Sequence, residues 1–272
     1  MNLIELGYKL MMRVPQLLSC ISKQEDGQYI AKYNDLILKS VFQPIYSQNL
    51  SIVGLEALLR INSRNQGNIT PSYFFQSDKI SESCQINVER LSRLIHIRNF
   101  GQSEFNSHRL FLNVLPKAAE LLAKENTNSH LLSQTILDAG LKHEQIVMEL
   151  LELDASDESF LYKATRKLSE YGYQIAIDDY GINASTRERV KYVKPNIIKI
   201  DRSLLVQYEA GDSSGLLGAL SLAEEMRSKT VIEGIETKQQ LNLMQRLGFD
   251  MYQGYYLAMP EPLKSKQITQ AI

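Results

Sequence analysis

The chain has 272 residues, 44% of them hydrophobic and 22% charged, which is enough for one large domain or two small ones around a sizeable core. A formal charge of -1 gives no general attraction to nucleic acid or to an anionic membrane, so an anionic ligand would need placed cations or a metal ion. The two cysteines, Cys20 and Cys84, form neither a disulfide framework nor a zinc ribbon and suit a reducing, cytoplasmic setting. No apolar run approaches the roughly 20 residues of a membrane span.

Residues 1–40 come first. Leu3, Leu10, Leu17 and Ile4, Met11, Leu18 recur every seven residues, which predicts a helical extension with one apolar face, kinked or split at Pro15. Glu5, Lys9 and Arg13 interrupt the apolar start and no small-residue cleavage site follows, so no secretion signal is read. The plain expectation is a helix packed on the rest of the chain; the sharper one is a contact with a partner or a second copy.

Short apolar segments then recur: "VFQPIYS" (41–47), "IVGLEALLRI" (52–61), "RLFLNVLP" (109–116) and "QIVMELLE" (145–152). They continue with "YQIAIDDYG" (173–181), "NIIKIDRS" (196–203), "KTVIEGIE" (229–236) and "MYQGYYLAMP" (251–260). Each has the length and β-branched or aromatic content of a strand, and most lack alternation, as strands buried on both faces do. Helical spacing lies between several of them. Phe160, Leu161, Ala164 and Leu168 precede Gly172, and Leu241, Met244 and Leu247 precede Gly248. Strand and helix in alternation predict a parallel β/α architecture, and eight strands in this length favour a closed barrel. The first two strands are joined too closely for a crossover helix and read as antiparallel. The fold class is therefore α/β: a modified TIM (β/α)8 barrel with an antiparallel first strand and a short helical N-terminal extension, divided at 1–40 and 41–272.

Polar residues cluster at one end of these strands. Glu56, Asn113, Glu149, Asp178, Asp179, Glu233 and Glu236 would bring six carboxylates and one amide to a single barrel mouth, where such folds build their sites. Packed carboxylates repel one another unless something positive compensates. All-oxygen ligands suit Mg2+ or Mn2+, and a doublet such as Asp178–Asp179 can serve two ions, a recurrent arrangement for phosphodiester cleavage. Lys199, also at a strand end, could orient a water or balance phosphoryl charge. Each residue alone has a bland reading: a lone glutamate is usually solvated, "DDYG" also reads as a turn, and a lone lysine often pairs with a carboxylate. The accumulation at one end carries the inference. His96, His108, His130 and His143 lie in helical or loop regions and read as core or surface histidines.

The residues just named resemble those of the EAL-domain family, the cyclic di-GMP phosphodiesterases of bacterial signalling. The signature stands as Glu56-Ala57-Leu58 within "GLEALLR". "FQPI", "LNVLP", "MELLE", "DDYG", "IKIDRS", "VIEGIET" and "QGYYLAMP" are similar to the family's other motifs, in order, over roughly residues 40 to 263. The resemblance implies hydrolysis of cyclic di-GMP to linear pGpG with two Mg2+ or Mn2+ ions, and Ca2+ as an inhibitor. It implies Glu56, Asn113, Glu149 and Asp178 on one ion, and Asp178 and Asp179 on the other, with Glu236 close by. Lys199 and Glu233 would handle the attacking water, Glu233 as general base. Gln43, Leu58, Arg60, Asp201 and Gln253 would contact the ligand, Arg60 as a guanidinium fork on phosphate. Glu152 would anchor the loop after Asp179. That loop and the following helix would be the route to a homodimer. No DNA or RNA partner and no membrane span are expected.

There are departures. The loop reads "YGINASTRER", where Ile182, Asn183 and Ala184 replace the family's usual glycine and tyrosine. Leu151 replaces a threonine, and Ile61 and Asn62 stand where a tryptophan often follows the arginine. They bear on rate and regulation, and they motivate the rival reading of a module that binds cyclic di-GMP, or a protein, without cleaving. The extension is too short for a receiver, a PAS-type sensor or a GGDEF cyclase, so a nearly stand-alone catalytic module is expected.

Overall fold

The computed structural model describes residues 11–115, 131–150, 158–181 and 187–266. Its strands are β1 (Ile21–Lys23), β2 (Tyr29–Tyr33), β3 (Leu36–Ser47), β4 (Ile52–Ser63), β5 (Gly67–Ile69) and β6 (Arg109–Val114). They continue as β7 (Ile146–Leu150), β8 (Gln174–Tyr180), β9 (Ile197–Ile200), β10 (Lys229–Ile232) and β11 (Met251–Tyr252). Eight of them close a barrel in the order β3-β11-β10-β9-β8-β7-β6-β4, completed by the β3–β4 pairing. Six adjacent pairings, from β4 with β6 round to β10 with β11, are parallel. β3 alone runs antiparallel to both its neighbours, as the short connection before Ile52 requires.

The described helices are α1 (Val14–Ser19), α2 (Pro71–Gln76), α3 (Glu82–Gly101), α4 (Leu131–Asp138), α5 (Glu158–Glu170), α6 (Arg187–Val193), α7 (Arg202–Glu209), α8 (Ser214–Met226) and α9 (Lys238–Leu247). Local chemistry sets their ends. The Asp201 carboxylate accepts from the Ser203 amide at the start of α7, and Thr237 with Gln240 forms a capping box on α9, which stops at Gly248 with φ 83°. Ala164, Leu168, Leu241 and Met244 are buried, as their helical spacing predicts. No described helix is long and apolar enough to cross a membrane.

The N-terminal expectation needs correction. Among the described residues of 1–40, helix covers only Val14–Ser19, and β1, β2 and the first residues of β3 occupy the stretch from Ile21 onward. β2 pairs with β3 in regular register, so the sheet crosses the expected boundary at residue 40. The heptad spacing of residues 3–18 carries no information about 21–40, where Leu36, Leu38 and Ser40 follow the strand period and Tyr29, Ile30 and Ala31 form a short apolar run. Leu3, Ile4 and Leu10 lie outside the described residues.

Period-two alternation organises the barrel interior. Ile45, Phe111, Val147, Ala176, Ile197, Val231 and Met251 point inward from seven strands and form one buried apolar cluster. The eighth strand supplies Gly54, because a Cβ there would lie 2.6 Å from the Phe111 ring. This layer is the floor of the barrel mouth. Removing its largest ring should open a cavity that the rigid staves cannot collapse into. Phe111→Ala is expected to cost about 3–5 kcal/mol in urea unfolding, with Phe111→Leu much milder. Equal stabilities for the two variants would contradict this packing.

Candidate active site at the barrel mouth

Two residues beyond the apolar floor, each strand carries its next inward-facing side chain. On the parallel strands these are Glu56, Asn113, Glu149, Asp178, Lys199, Glu233 and Gln253; on antiparallel β3, running the other way, it is Gln43. One polar residue therefore comes from every stave of the barrel, stacked on the apolar layer. Glu233 and Gln253 stand just past the last hydrogen-bonded residues of β10 and β11, where the Glu233 amide donates to Ile200 O and the Gln253 amide to Ile232 O.

Lys199 sits at the centre, with 1% of its side chain exposed. Its Nζ lies 2.7 Å from Glu149, 2.8 Å from Glu233, 2.9 Å from Asp178 and 3.4 Å from Glu56. Burial pulls an ammonium toward neutrality, but Asp178, Glu149, Glu233 and Glu56 more than reverse this, and its pKa stands well above the ordinary value. Around it, Gln253 Nε2 donates to Glu56 Oε2 (2.7 Å) and Gln43 Oε1 (3.3 Å). Asn113 Nδ2 donates to Glu56 Oε1 (3.2 Å). Glu56 is thereby held from three sides.

One lysine does not neutralise this set. Burial pushes the Glu149 and Glu233 carboxyls well above the usual range despite Lys199, and the neighbouring carboxylates add to the rise. Among the described residues, Glu149 Oε2 is buried with no partner, and buried Glu149 Oε1 and Asp178 Oδ1 meet only the Lys199 ammonium. Orphaned, all-oxygen, acidic donors are the setting that Mg2+ and Mn2+ fit. Glu56, Glu149, Asp178, Asp179 and Glu233 against one ammonium leave four formal negative charges, which two divalent cations match.

Asp178 and Asp179 reach the same place by a break in the strand. On regular β-structure they would face opposite sides. Asp179 adopts φ 50°, in the left-handed region, and the β8–β9 register slips between Ile177 and Tyr180. The two neighbours then converge: carboxylate oxygens of Asp178, Asp179 and Glu233 lie within 4.8 Å of one another. The strain is of order 1–3 kcal/mol, and the converging pair is what it secures. The Asp179 carboxyl rises to about 6 through burial first, then through Asp178, Asp201 and Glu56, with Lys199 opposing.

The remaining expected residues are placed as follows. Gln43, Glu56, Leu58, Glu233 and Gln253 line a cavity of about 310 Å³ at the mouth. Glu236 also lines it but does not join the acidic cluster. Its carboxylate pairs with Arg202 at 2.6 Å on the exposed rim. Asp201 is occupied as the cap of α7 and reaches the site through its charge on Asp179. Arg60 lies two residues past Leu58 on the same face of β4, exposed, with Nη1 on Leu59 O. Glu152, Leu151 and residues 182–186 lie outside the described residues. His96 is buried on Ser40 (2.7 Å) and pushed down to about 3 by burial, and His108 and His143 bond Phe105 O and Ser133, all away from the mouth.

Sequence reasoning missed Arg202, Gly254 and Tyr255, which also line the cavity. Gly254 carries a signal only in three dimensions: a Cβ there would sit 2.1 Å from Ile235 O, where the chain after β11 crosses the loop holding Glu233 and Glu236. Lys199 also touches Asp178 directly, so positive charge reaches this carboxylate from the chain itself.

A family model described as "EAL domain" matches residues 34–260. The chain is 27% identical over 233 residues to the "Probable cyclic di-GMP phosphodiesterase PdeD" of Escherichia coli, covering 82% of this chain and 41% of that protein. It thus spans about two fifths of that relative's length. Among solved structures, the Bacillus subtilis YkuI protein, which has an EAL domain and was crystallised with substrate c-di-GMP and calcium, is 24% identical with a TM-score of 0.71. The match covers 83% of this chain and 56% of YkuI. The manganese and cyclic di-GMP complex of Klebsiella pneumoniae BlrP1 is 23% identical with a TM-score of 0.68, covering 82% and 56%. Both likenesses show the barrel fold.

Two outcomes follow from the charge arrangement. Lys199→Met should cost about 3–5 kcal/mol near neutral pH in EDTA, because it strands buried carboxylates, and Mn2+ should recover part of the loss. A Lys199→Met protein as stable in EDTA as the parent would contradict the clustering. Mn2+ affinity should rise with pH through about 6 and then level off as far as Asp179 is concerned, because the ion needs the deprotonated carboxylate. The sign for folding is opposite. Asp179 has its folded pKa raised, so its contribution to metal-free stability is full below the unfolded value and is lost as pH rises through about 6. Calorimetric titration with Mn2+ from about pH 5 to about pH 8 reads the first. Equal affinity at both ends would rule it out.

Proposed function

The chain belongs to the EAL domain family, and from that footing we propose that it is a phosphodiesterase that opens cyclic di-GMP to linear pGpG with a pair of Mg2+ or Mn2+ ions. The observation that carries this reading is the polar layer at the barrel mouth: one side chain from each of the eight staves, five carboxylates including Asp179, and a single buried ammonium. Glu56, Asn113, Glu149 and Asp178 would hold one ion, and Asp178 and Asp179 the other. When bound, such ions polarise the phosphoryl oxygen and lower the pKa of a coordinated water.

The chain's own groups supply the rest. Glu233 is the general base. It touches Lys199, lies at the edge of the cavity, and burial makes its carboxylate an unusually good proton acceptor. Lys199 fixes four carboxylates in place before substrate arrives, so that little reorganisation is left for the reaction. Gln253 holds Glu56 from one side and donates also to Gln43, and Leu58 gives the ligand an apolar contact beside them. Arg60, further along the same strand face, pairs with phosphate. Glu152 anchors the loop after Asp179, and that loop with α6 is the dimerisation route. Glu236 is drawn toward the ions from its place on Arg202. Ca2+ binds without supporting turnover. The reading places the work of the protein in the cytoplasm.

Purified chain with cyclic di-GMP and Mg2+ or Mn2+ should release pGpG, read by chromatography. Glu56→Ala and Glu233→Ala should each lower the rate by at least about a hundredfold while remaining folded. A folded parent that retains cyclic di-GMP in Ca2+ but turns it over with neither metal would be the receptor that the departures at residues 182–184 suggest.

A further inference from the structure

The β3–β4 hairpin does not end at the barrel rim. Its register runs unbroken from Gln43–Glu56 through Val41–Leu58 and Lys39–Arg60 to Ile37–Asn62. Directly opposed residues share a face, so these pairs form one inner wall that rises from the polar layer above the mouth. The alternate residues Leu38, Leu59 and Ile61 face the other way and pack with Val88, Leu91 and Ile95 of α3.

On that wall Lys39 and Arg60 are placed side by side. Like charges directly opposite each other destabilise a sheet. Both are exposed, and among the described residues neither makes an ion pair. They line a second cavity of about 610 Å³ together with Ile37, Asn62 and Asn68. It begins two residues beyond Leu58, which belongs to the mouth cavity, on the same strand face. From Glu56 to Arg60 the strand climbs about 13 Å. Asn62 Nδ2 donates to Asn68 Oδ1 (2.8 Å), which leaves further amide capacity on both side chains for a base edge.

We propose that Lys39 joins Arg60 in a two-cation subsite that takes the phosphate not being cleaved, so that the distal guanylyl half of the substrate lies in the recess above it. This rests on the phosphodiesterase reading. It assigns Lys39 as a substrate-binding residue for which the family resemblance gives no role. The cost of opposing two cations is offset only when an anion lies between them, so the pair discriminates for a ligand with a second phosphate at this height.

Lys39→Ala, Lys39→Glu and Lys39→Arg, each checked for an unchanged unfolding midpoint, test it with cyclic di-GMP and Mn2+. KM should rise about tenfold in Lys39→Ala, more in Lys39→Glu, and return toward the parent value in Lys39→Arg, the loss falling on KM rather than on kcat. Calorimetric titration with cyclic di-GMP in Ca2+ should show the same order in Kd. A KM and Kd within twofold of the parent in both Lys39→Ala and Lys39→Glu, or a loss confined to kcat, overturns the subsite. If the parent neither cleaves nor binds cyclic di-GMP, the phosphodiesterase reading itself falls and takes the subsite with it.

Discussion

A single ammonium, Lys199 Nζ, buried among four carboxylates is the interaction on which the mouth of this barrel depends. Without it, Glu56, Glu149, Asp178 and Glu233 would have to be protonated or pushed apart. With it, they are held together but left under-compensated, with raised carboxyls and orphaned buried oxygens. That is a poised state. Protons or divalent cations can complete the neutralisation, and they compete for the same oxygens.

The barrel makes this cluster with little special geometry. An apolar layer from Ile45 to Met251 fills the interior, with Gly54 yielding its place to Phe111. The next inward position on each stave is polar. Burying so many polar groups at one level is costly, and they offset that cost only in part: Gln253 and Asn113 donate to Glu56, and Lys199 pairs with Glu56, Glu149, Asp178 and Glu233. Strand regularity breaks at Ile45/Tyr46, where the β3–β4 register shifts, and again at Asp179. Its left-handed backbone and the register slip beside it turn a second carboxylate inward where alternation would have sent it out.

The rim extends the same logic outward. Arg202 and Glu236 pair across the cavity edge, Tyr255 stands exposed beside them, and Gly254 lets two backbone segments cross at a distance no side chain would permit. Opposite this edge the long hairpin carries Leu58, then Lys39 with Arg60, away from the acidic layer. Negative charge lies deep and positive charge high on one wall. An extended anion with two phosphates matches that gradient if divalent ions occupy the depth.

The sequence by itself determined the stave pattern, the antiparallel entry of β3 and the polar residue at each strand end, because these follow from periodicity and from the length of connections. It brought Asn113, Glu149, Asp178 and Glu233 to one end of the barrel, since strand ends of a closed barrel converge. Tertiary structure decided what those residues do to one another. That Lys199, not metal alone, holds the carboxylates is a matter of distances between staves far apart in the chain. That Glu236 faces Arg202, and Lys39 faces Arg60, depends on loop packing and strand register, which residue spacing does not encode. The strands of residues 21–40 were illegible for a related reason: short strands are stabilised by cross-strand partners supplied from elsewhere, whereas the seven-residue spacing before them advertised a helix.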